Sequence, residues 1–431
     1  MYFYSLNEKA PQVSFKEAVI EGIAPDRGLY FPEKISPLPQ RFFEVIHSIP
    51  NNEIAFTAIR QFVTEDIPDE TLKGILEKVL NFDFPVVEIE ENVGTLELFH
   101  GPTMAFKDVG ARFMAQCLGY FSQNSDQEVT VLVATSGDTG GAVANGFLGV
   151  KGVKVVILYP KGRVSDIQER QLTTLGQNIT ALKVSGSFDD CQSMVKTAFL
   201  DEELLKDKQL TSANSINVAR WLPQLFYFLF AFKQAKSKGK ELVFSVPSGN
   251  FGNICAGIVA QKLGMPVKHF IASTNVNDTV PQFMKTGIYT AKPATATISN
   301  AMDVGDPSNF VRIRHLYQND FDTLSQNLSA YTFTDAETRK AMRRIYEQSD
   351  YITDPHGAVG YLGMKKYQEN HPGVYGIFLE TAHPVKFLDV VEEVIGKKLE
   401  LPGQIQKVMG KTKHSTAIAT YQELKDYLLS Q

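Results

Sequence analysis

Short, wholly apolar runs alternating with helical segments constrain this chain more than any other feature. Val129-Thr-Val-Leu-Val-Ala134 is rich in β-branched residues and carries no charge, as a strand buried on both faces requires. The loop Thr135-Ser136-Gly137-Asp138-Thr139-Gly140-Gly141 follows, then a helical stretch from Ala142 to Phe147. Val153 to Tyr159 and Ile179 to Val184 repeat the strand, and Phe188 to about Leu205 reads as a helix whose positive end Asp189 and Asp190 favour. After a long apolar helix at about 216–236 come strands at Glu241–Val246, Val267–Ser273 and Tyr375–Glu380. Helices are expected at Ile254–Leu263, at Asp335–Gln348 behind a Thr334 cap, and at His356–Tyr367. Buried strands separated by helices argue for two open, mainly parallel α/β domains. Residues 1–95 read instead as a mostly helical region, with a capping box at Ser14 and Glu17 and a second cap at Asp66 before Asp69–Leu80. The expected divisions are 1–95, 96–210 and 211–431, with the α/β seam between about 201 and 240.

Composition narrows the function. A net charge of −5 advertises no basic face to nucleic acid or anionic lipid, so any phosphate recognition must be local. The N-terminus lacks the basic and apolar regions of a signal peptide. The greasiest run, Trp221 to Phe232, falls short of the ~20 residues of a membrane span. Cys117, Cys191 and Cys255 are widely spaced and odd in number, which suits reduced thiols of a cytoplasmic protein. No two of the eight histidines have zinc-ligand spacing on a helix, so no metal is expected.

Chemistry concentrates in three places. In His100-Gly-Pro-Thr-Met-Ala-Phe-Lys107-Asp108 a lysine closes a compact turn and opens a helical run from Val109 to Tyr120. Such a setting desolvates the amine and lowers its pKa, which a nucleophilic lysine needs and a surface lysine does not. Pro247-Ser248-Gly249-Asn250-Phe251-Gly252-Asn253 lies between a strand and a helix, the geometry of a phosphate cradle. It has neither a Walker lysine nor the dinucleotide spacing, so it suits a monophosphate, or simply a tight strand–helix turn. Thr135 to Gly140 occupies the equivalent position in the first block and suits a carboxylate or phosphate. Asp138 would repel an anion there unless it carries a proton or meets a positive partner; otherwise it is an N-cap. A cofactor with both an aldehyde and a monophosphate answers all three features, and pyridoxal phosphate is one.

Several long motifs in one order carry a resemblance. His100 to Asp108, Ala134 to Gly140, Ser212-Ala-Asn-Ser-Ile-Asn-Val-Ala-Arg220, Ser245 to Asn253, Thr274-Asn-Val-Asn-Asp-Thr-Val280, Ser299-Asn-Ala-Met-Asp-Val304 and Thr381-Ala-His-Pro384 span most of the chain. Together they resemble the bacterial and fungal branch of threonine synthase. That resemblance implies the tryptophan-synthase-β-like, fold-type-II architecture and conversion of O-phospho-L-homoserine and water to L-threonine and phosphate. It implies that Lys107 binds the cofactor aldehyde and then moves protons. Gly249, Asn250, Phe251, Gly252 and Asn253 would hold the cofactor phosphate, with Asp138 near the phenolic oxygen and Thr381 at the ring nitrogen. Thr135, Ser136 and Thr139 would take the substrate carboxylate; Asn214, Ser215 and Arg220 would take its phosphate. The partner implied is a small-molecule substrate, with no nucleic acid or membrane, for a monomer or homodimer. Competing readings are a serine or threonine dehydratase or cysteine synthase of the same fold, or a noncatalytic relative that binds phosphorylated ligands. Asp303, Asp354 and His356 fall in family-like stretches without a role that chemistry alone assigns.

Overall fold

A computed structural model describes residues 1–124, 127–135 and 137–431. Two parallel-rich sheets carry the chain. The smaller has five strands in the spatial order Thr416–Ile418, Ile179–Val184, Val153–Pro160, Val129–Ala134, Gln209–Ser212, with every pair parallel. The larger has six: Leu328–Thr332, His269–Thr274, Leu242–Pro247, Tyr375–Glu380, Val93–Glu97, Val86–Glu90. Only its last pair is antiparallel. Every residue of Val129–Ala134, Leu242–Pro247, His269–Thr274 and Tyr375–Glu380 is buried. This is why their apolar runs do not alternate with polar residues.

Chain order and sheet membership part company in two places. Val93–Glu97 joins the larger sheet beside Tyr375–Glu380, ahead of all the strands of the smaller one. At the other end, Thr416–Ile418 returns to the smaller sheet beside Ile179–Val184, and the helix Tyr421–Ser430 follows it. The apolar run near 216–236 is divided. Val218–Trp221 is followed by a tight turn, Leu222–Gln224, at Pro223, and then by the helix Leu225–Ala235. Phe226 to Phe232 are all buried, so this helix is hydrophobic around its whole circumference. Phe228 lies 5.1 Å from the Phe244 ring and 5.9 Å from Phe270, which seats the helix on two neighbouring strands of the larger sheet. Each such ring removed from water contributes ~1.5–3 kcal/mol.

Two local expectations change. Asp66 does not cap the helix Asp69–Val79, whose N-cap is Pro68; its carboxylate instead accepts from Lys16 N at 3.1 Å. The helix expected from Phe188 to Leu205 stops at Ala198, and Asp201 caps a separate helix, Glu202–Asp207, by accepting from the amides of Glu203 and Leu204. The capping boxes at Ser14 and Thr334 are both present. Cys117, Cys191 and Cys255 are free and buried, and no helix among the described residues is long and apolar enough to cross a membrane.

The topology gathers the candidate loops. Thr135, Ser248 and Thr381 each follow the carboxyl end of a parallel strand, where ligands of open α/β sheets bind.

Candidate active site

Lys107 is the first residue of the helix Lys107–Phe121, behind a turn that the rest of the site holds rigid. The Asp108 carboxylate accepts from Thr103 N at 2.9 Å and from Thr103 Oγ1 at 2.5 Å, closing the turn from within. Met104 takes a left-handed φ of +58°, a strained setting for a long side chain that such closure sustains. Residues 104–106 then pair with 381–383: Phe106 N donates to Thr381 O at 2.8 Å, and His383 N donates to Met104 O at 3.0 Å. Tyr227 Oη–H donates to the carbonyl of Phe106. Lys107 is thereby fixed beside Thr381, half-buried. Burial lowers its ammonium pKa to about 8; Asp138 pulls it upward, while Lys386 and Arg220 push it down further. An amine so placed is available as a nucleophile near neutral pH.

Asp138 begins the helix Asp138–Phe147 and is buried. It has the positive partner that its position demands. Lys386 Nζ lies 2.6 Å from Asp138 Oδ1, and Gln168 Nε2 donates to the same oxygen at 3.0 Å. Burial alone would raise the carboxyl pKa, but Lys386 and then Lys107 hold it well below the usual range. Thr135 Oγ1 accepts from Gly137 N at 2.9 Å and Gly140 N at 2.8 Å, which leaves its own O–H to donate to a ligand. Thr139 is half-buried on the first turn of the same helix, and Ser136 lies outside the described residues.

Across the site, the loop after Leu242–Pro247 forms a cradle. Phe251 adopts φ +60° as N-cap of the helix Gly252–Lys262, so the first amides of that helix have no intrahelical acceptor. A Cβ on Gly249 would stand 2.7 Å from Met302 Cα and 2.8 Å from Ala301 O, a close approach that only glycine permits. Asn250 is fastened on both sides: its Nδ2 donates to Ser215 Oγ at 2.9 Å and its Oδ1 accepts from Ser308 N at 2.7 Å. Asn253 is buried, and neither its Nδ2 nor its Oδ1 has a hydrogen-bond partner among the described residues.

The segment 214–220 joins the two halves. Asn214 Nδ2 donates to Ala134 O at 3.2 Å, beside the Thr135 loop, while Ser215 reaches the cradle through Asn250. Arg312, wholly buried with its guanidinium 4.3 Å from the Trp221 ring, donates to the carbonyls of Ser215 at 3.1 Å and Ile216 at 2.7 Å. Arg220 packs on the Lys107 helix: a Cβ on Gly110 would stand 2.6 Å from its carbonyl oxygen and 3.4 Å from Nε. Its guanidinium is buried, and Nε and Nη1 have no partner among the described residues. That burial lowers its pKa to about 10, which leaves it charged at neutral pH. A desolvated guanidinium with open donors beside the Lys107 helix is a site for an anion.

Comparison with known proteins decides the family. One family model, described as pyridoxal-phosphate dependent enzyme, matches residues 93–375. Two others, described as threonine synthase N terminus and threonine synthase, C-terminal, match residues 2–80 and 357–428. Threonine synthase of Escherichia coli is 44% identical over 406 residues, 94% of each chain. This chain belongs to the threonine synthase family. Threonine synthase of Saccharomyces cerevisiae is 35% identical and covers 94% of this chain and 93% of its own. The crystal structure of the E. coli threonine synthase matches with a TM-score of 0.94 at 42% identity over 100% of both chains. That of the pyridoxal-phosphate-bound threonine synthase from Brucella melitensis matches with 0.92 at 31% identity, covering 99% of this chain and 98% of its own.

The cofactor of this threonine synthase family member is pyridoxal phosphate, and the residues present fit it. A cradle with free helix-start amides, and a buried Asn253 whose side-chain amide has no partner among the described residues, suits the phosphate. A desolvated lysine suits the aldehyde, and a carboxylate already neutralised by Lys386 presents no repulsion to either.

Four supporting residues escaped the reading of the sequence: Gln168, Lys386, Arg312 and Glu380. The first two face Asp138, and Arg312 clamps the 215–216 backbone. Glu380 is wholly buried, its carboxyl accepting from Thr353 Oγ1 and Asp354 N; burial first, and Asp354 second, push its pKa well above the usual range. Asp354 and His356 now have a place. Ala301 N donates to His356 Nε2 at 3.2 Å, so the ring proton sits on Nδ1 and is donated to Asp354 Oδ1 at 2.7 Å. The other Asp354 oxygen accepts from Ala382 N at 3.2 Å. This chain of bonds ties residues 301–302, which Gly249 packs on, to the segment beside Lys107. Asp303 accepts from Asn275 Nδ2 at 2.9 Å and Thr297 Oγ1 at 2.7 Å; burial raises its pKa to about 6. Removing the Asp354 acceptor strands the amides of His356, Gly357 and Ala382 in the interior. Asp354→Ala is therefore expected to lower the unfolding free energy by about 3 kcal/mol. Urea denaturation measures this, and a change under about 0.5 kcal/mol would mean the network is dispensable.

Proposed function

We propose that this protein converts O-phospho-L-homoserine and water to L-threonine and inorganic phosphate, with site residues in the following roles. The buried guanidinium of Arg220, whose Nε and Nη1 have no partner among the described residues, carries the reading, because a dehydratase or cysteine synthase has no second phosphate to bind. Bound pyridoxal phosphate supplies the electron sink that makes the substrate's Cα–H and Cβ–H removable. Lys107 holds the cofactor aldehyde and, once released by the substrate amine, takes and returns protons at Cα, Cβ and Cγ. The 249–253 cradle, with Gly252 and Asn253 at the helix start, takes the cofactor phosphate. Thr381 offers the ring nitrogen a hydroxyl in place of a carboxylate. Thr135, Ser136 and Thr139 bind the substrate carboxylate, while Asn214, Ser215 and Arg220 hold the departing phosphate. One lysine serving successive carbons requires that water be kept out until it adds at Cβ. The bond network around Lys107, Thr103 and Thr381 supports that exclusion. Free, buried thiols support a cytoplasmic enzyme, working as a monomer or homodimer on a small-molecule substrate.

Incubation of the purified holoenzyme with O-phospho-L-homoserine is expected to release phosphate and threonine in equal amounts. Keto acid and ammonia from serine or threonine, with no phosphate release, would contradict the assignment.

A further inference from the structure

We propose that Lys386 is a positioning residue of this site: pressed against Asp138, it keeps that carboxylate ionised and aimed, and the two opposite charges together set how tightly the Lys107 nitrogen holds its proton. The inference rests on Lys107 being the cofactor lysine.

Lys386 sits on the short turn Pro384–Phe387, in the segment that pairs with residues 104–106. Its side chain is fully inaccessible. Among the described residues the ammonium contacts Asp138 Oδ1 at 2.6 Å and Thr103 O at 2.9 Å. Each contact is held from behind. Gln168 Nε2 donates to the same Asp138 oxygen at 3.0 Å, and Gln171 Nε2 donates to Thr103 O at 3.2 Å. Thr103 is itself fastened by Asp108. Burying both ions of a pair costs several kcal/mol per ion, and apolar residues of the same volume often stabilise a fold better. A buried pair next to a reactive amine thus has its use in the charge it presents.

The charges facing Lys107 are Asp138, which favours its proton, and Lys386 and Arg220, which disfavour it. Asp108 and His383 also lie within reach of the Lys386 charge. Without Lys386, a neighbouring cation is lost and Lys107 becomes the main positive partner of Asp138, so the Lys107 nitrogen would hold its proton more tightly. Without Asp138, it would face two cations and hold the proton less tightly. The pair balances the site between these limits.

The test is a pH titration of the long-wavelength absorbance of the holoenzyme, which reads the proton on the Lys107 nitrogen without turnover. Lys386→Met is expected to move the midpoint up by about one pH unit or more, and Asp138→Asn to move it down by a similar amount. Lys386→Arg, which keeps the charge, should stay close to the unmodified protein. A residue that only fills space cannot produce shifts of opposite sign. If Lys386→Met fails to fold, by circular dichroism, Asp138→Asn and Lys386→Arg carry the comparison. A Lys386→Met midpoint equal to wild type, an Asp138→Asn midpoint that does not fall, or shifts of the same sign overturn the proposal. Loss of the Asp138→Asn shift in a folded Lys386→Arg background does so too. Absence of any such band in the unmodified holoenzyme would instead remove the cofactor-lysine reading on which the proposal rests.

Discussion

Lys107→Ala should abolish turnover for practical purposes, lowering kcat by at least about 10³-fold. The amine is asked for three things that no neighbour supplies: the link to the cofactor aldehyde, proton transfer at successive substrate carbons, and release of product. Lys386 is no substitute, because its ammonium is engaged by Asp138 and the Thr103 carbonyl. The loss should be confined to chemistry. Thr103, Met104, Phe106 and Asp108 fix the turn through their own bonds and not through the lysine amine. Far-ultraviolet circular dichroism and the urea midpoint should match wild type, and the variant should still bind the cofactor through the 249–253 cradle. Steady-state phosphate release measures the effect, and more than a tenth of wild-type activity would assign the reactive amine elsewhere.

The second large effect is expected from Arg220→Met, which keeps the volume and removes the charge. If the guanidinium holds the departing phosphate, kcat/KM should fall by about 10²–10³-fold, the cost of losing a charge-assisted contact in a desolvated pocket. Stability should hold or rise, because a buried charge is removed whose Nε and Nη1 have no partner among the described residues. Cofactor binding should be unchanged, since the cradle lies on another loop. Lys at this position should recover little, as a point charge lacks the planar fork. Unchanged kinetics would make Arg220 a packing residue against the Lys107 helix.

Much of the fold was legible because its signals are local. Ile179–Val184 and Tyr375–Glu380 were readable to the residue: the second is buried along its whole length, and the first keeps Ile179, Ala181, Leu182 and Val184 inside with Thr180 and Lys183 half-buried. Local signals also misled. Asp66 has the sequence of a cap but finds a partner in Lys16, and Asp201 restarts a helix where periodicity alone continued one. The return of Thr416–Ile418 to the smaller sheet has no mark in its three residues, because pairing across the chain decides it.

The site divides along the same line. Lys107 and the loops at 135–140 and 249–253 were visible, since each combines a strand end, small residues and a helix start in one short stretch. Asp138 could be read as needing a cation, but nothing near it in sequence supplies one. Lys386 looks like any solvated lysine until the fold buries it. Arg312, Glu380 and the Asp354–His356 link are likewise defined by what folds around them, not by their neighbours in the chain.

The central claim is that the Lys107 amine carries the cofactor aldehyde. Borohydride reduction of the holoenzyme, followed by proteolysis and peptide mass spectrometry, tests it most directly. Reduction should leave the pyridoxyl mass on the peptide containing Lys107 and on no other, and turnover should be lost in proportion. A modified peptide carrying Lys386 or another lysine, with Lys107 untouched, would contradict it.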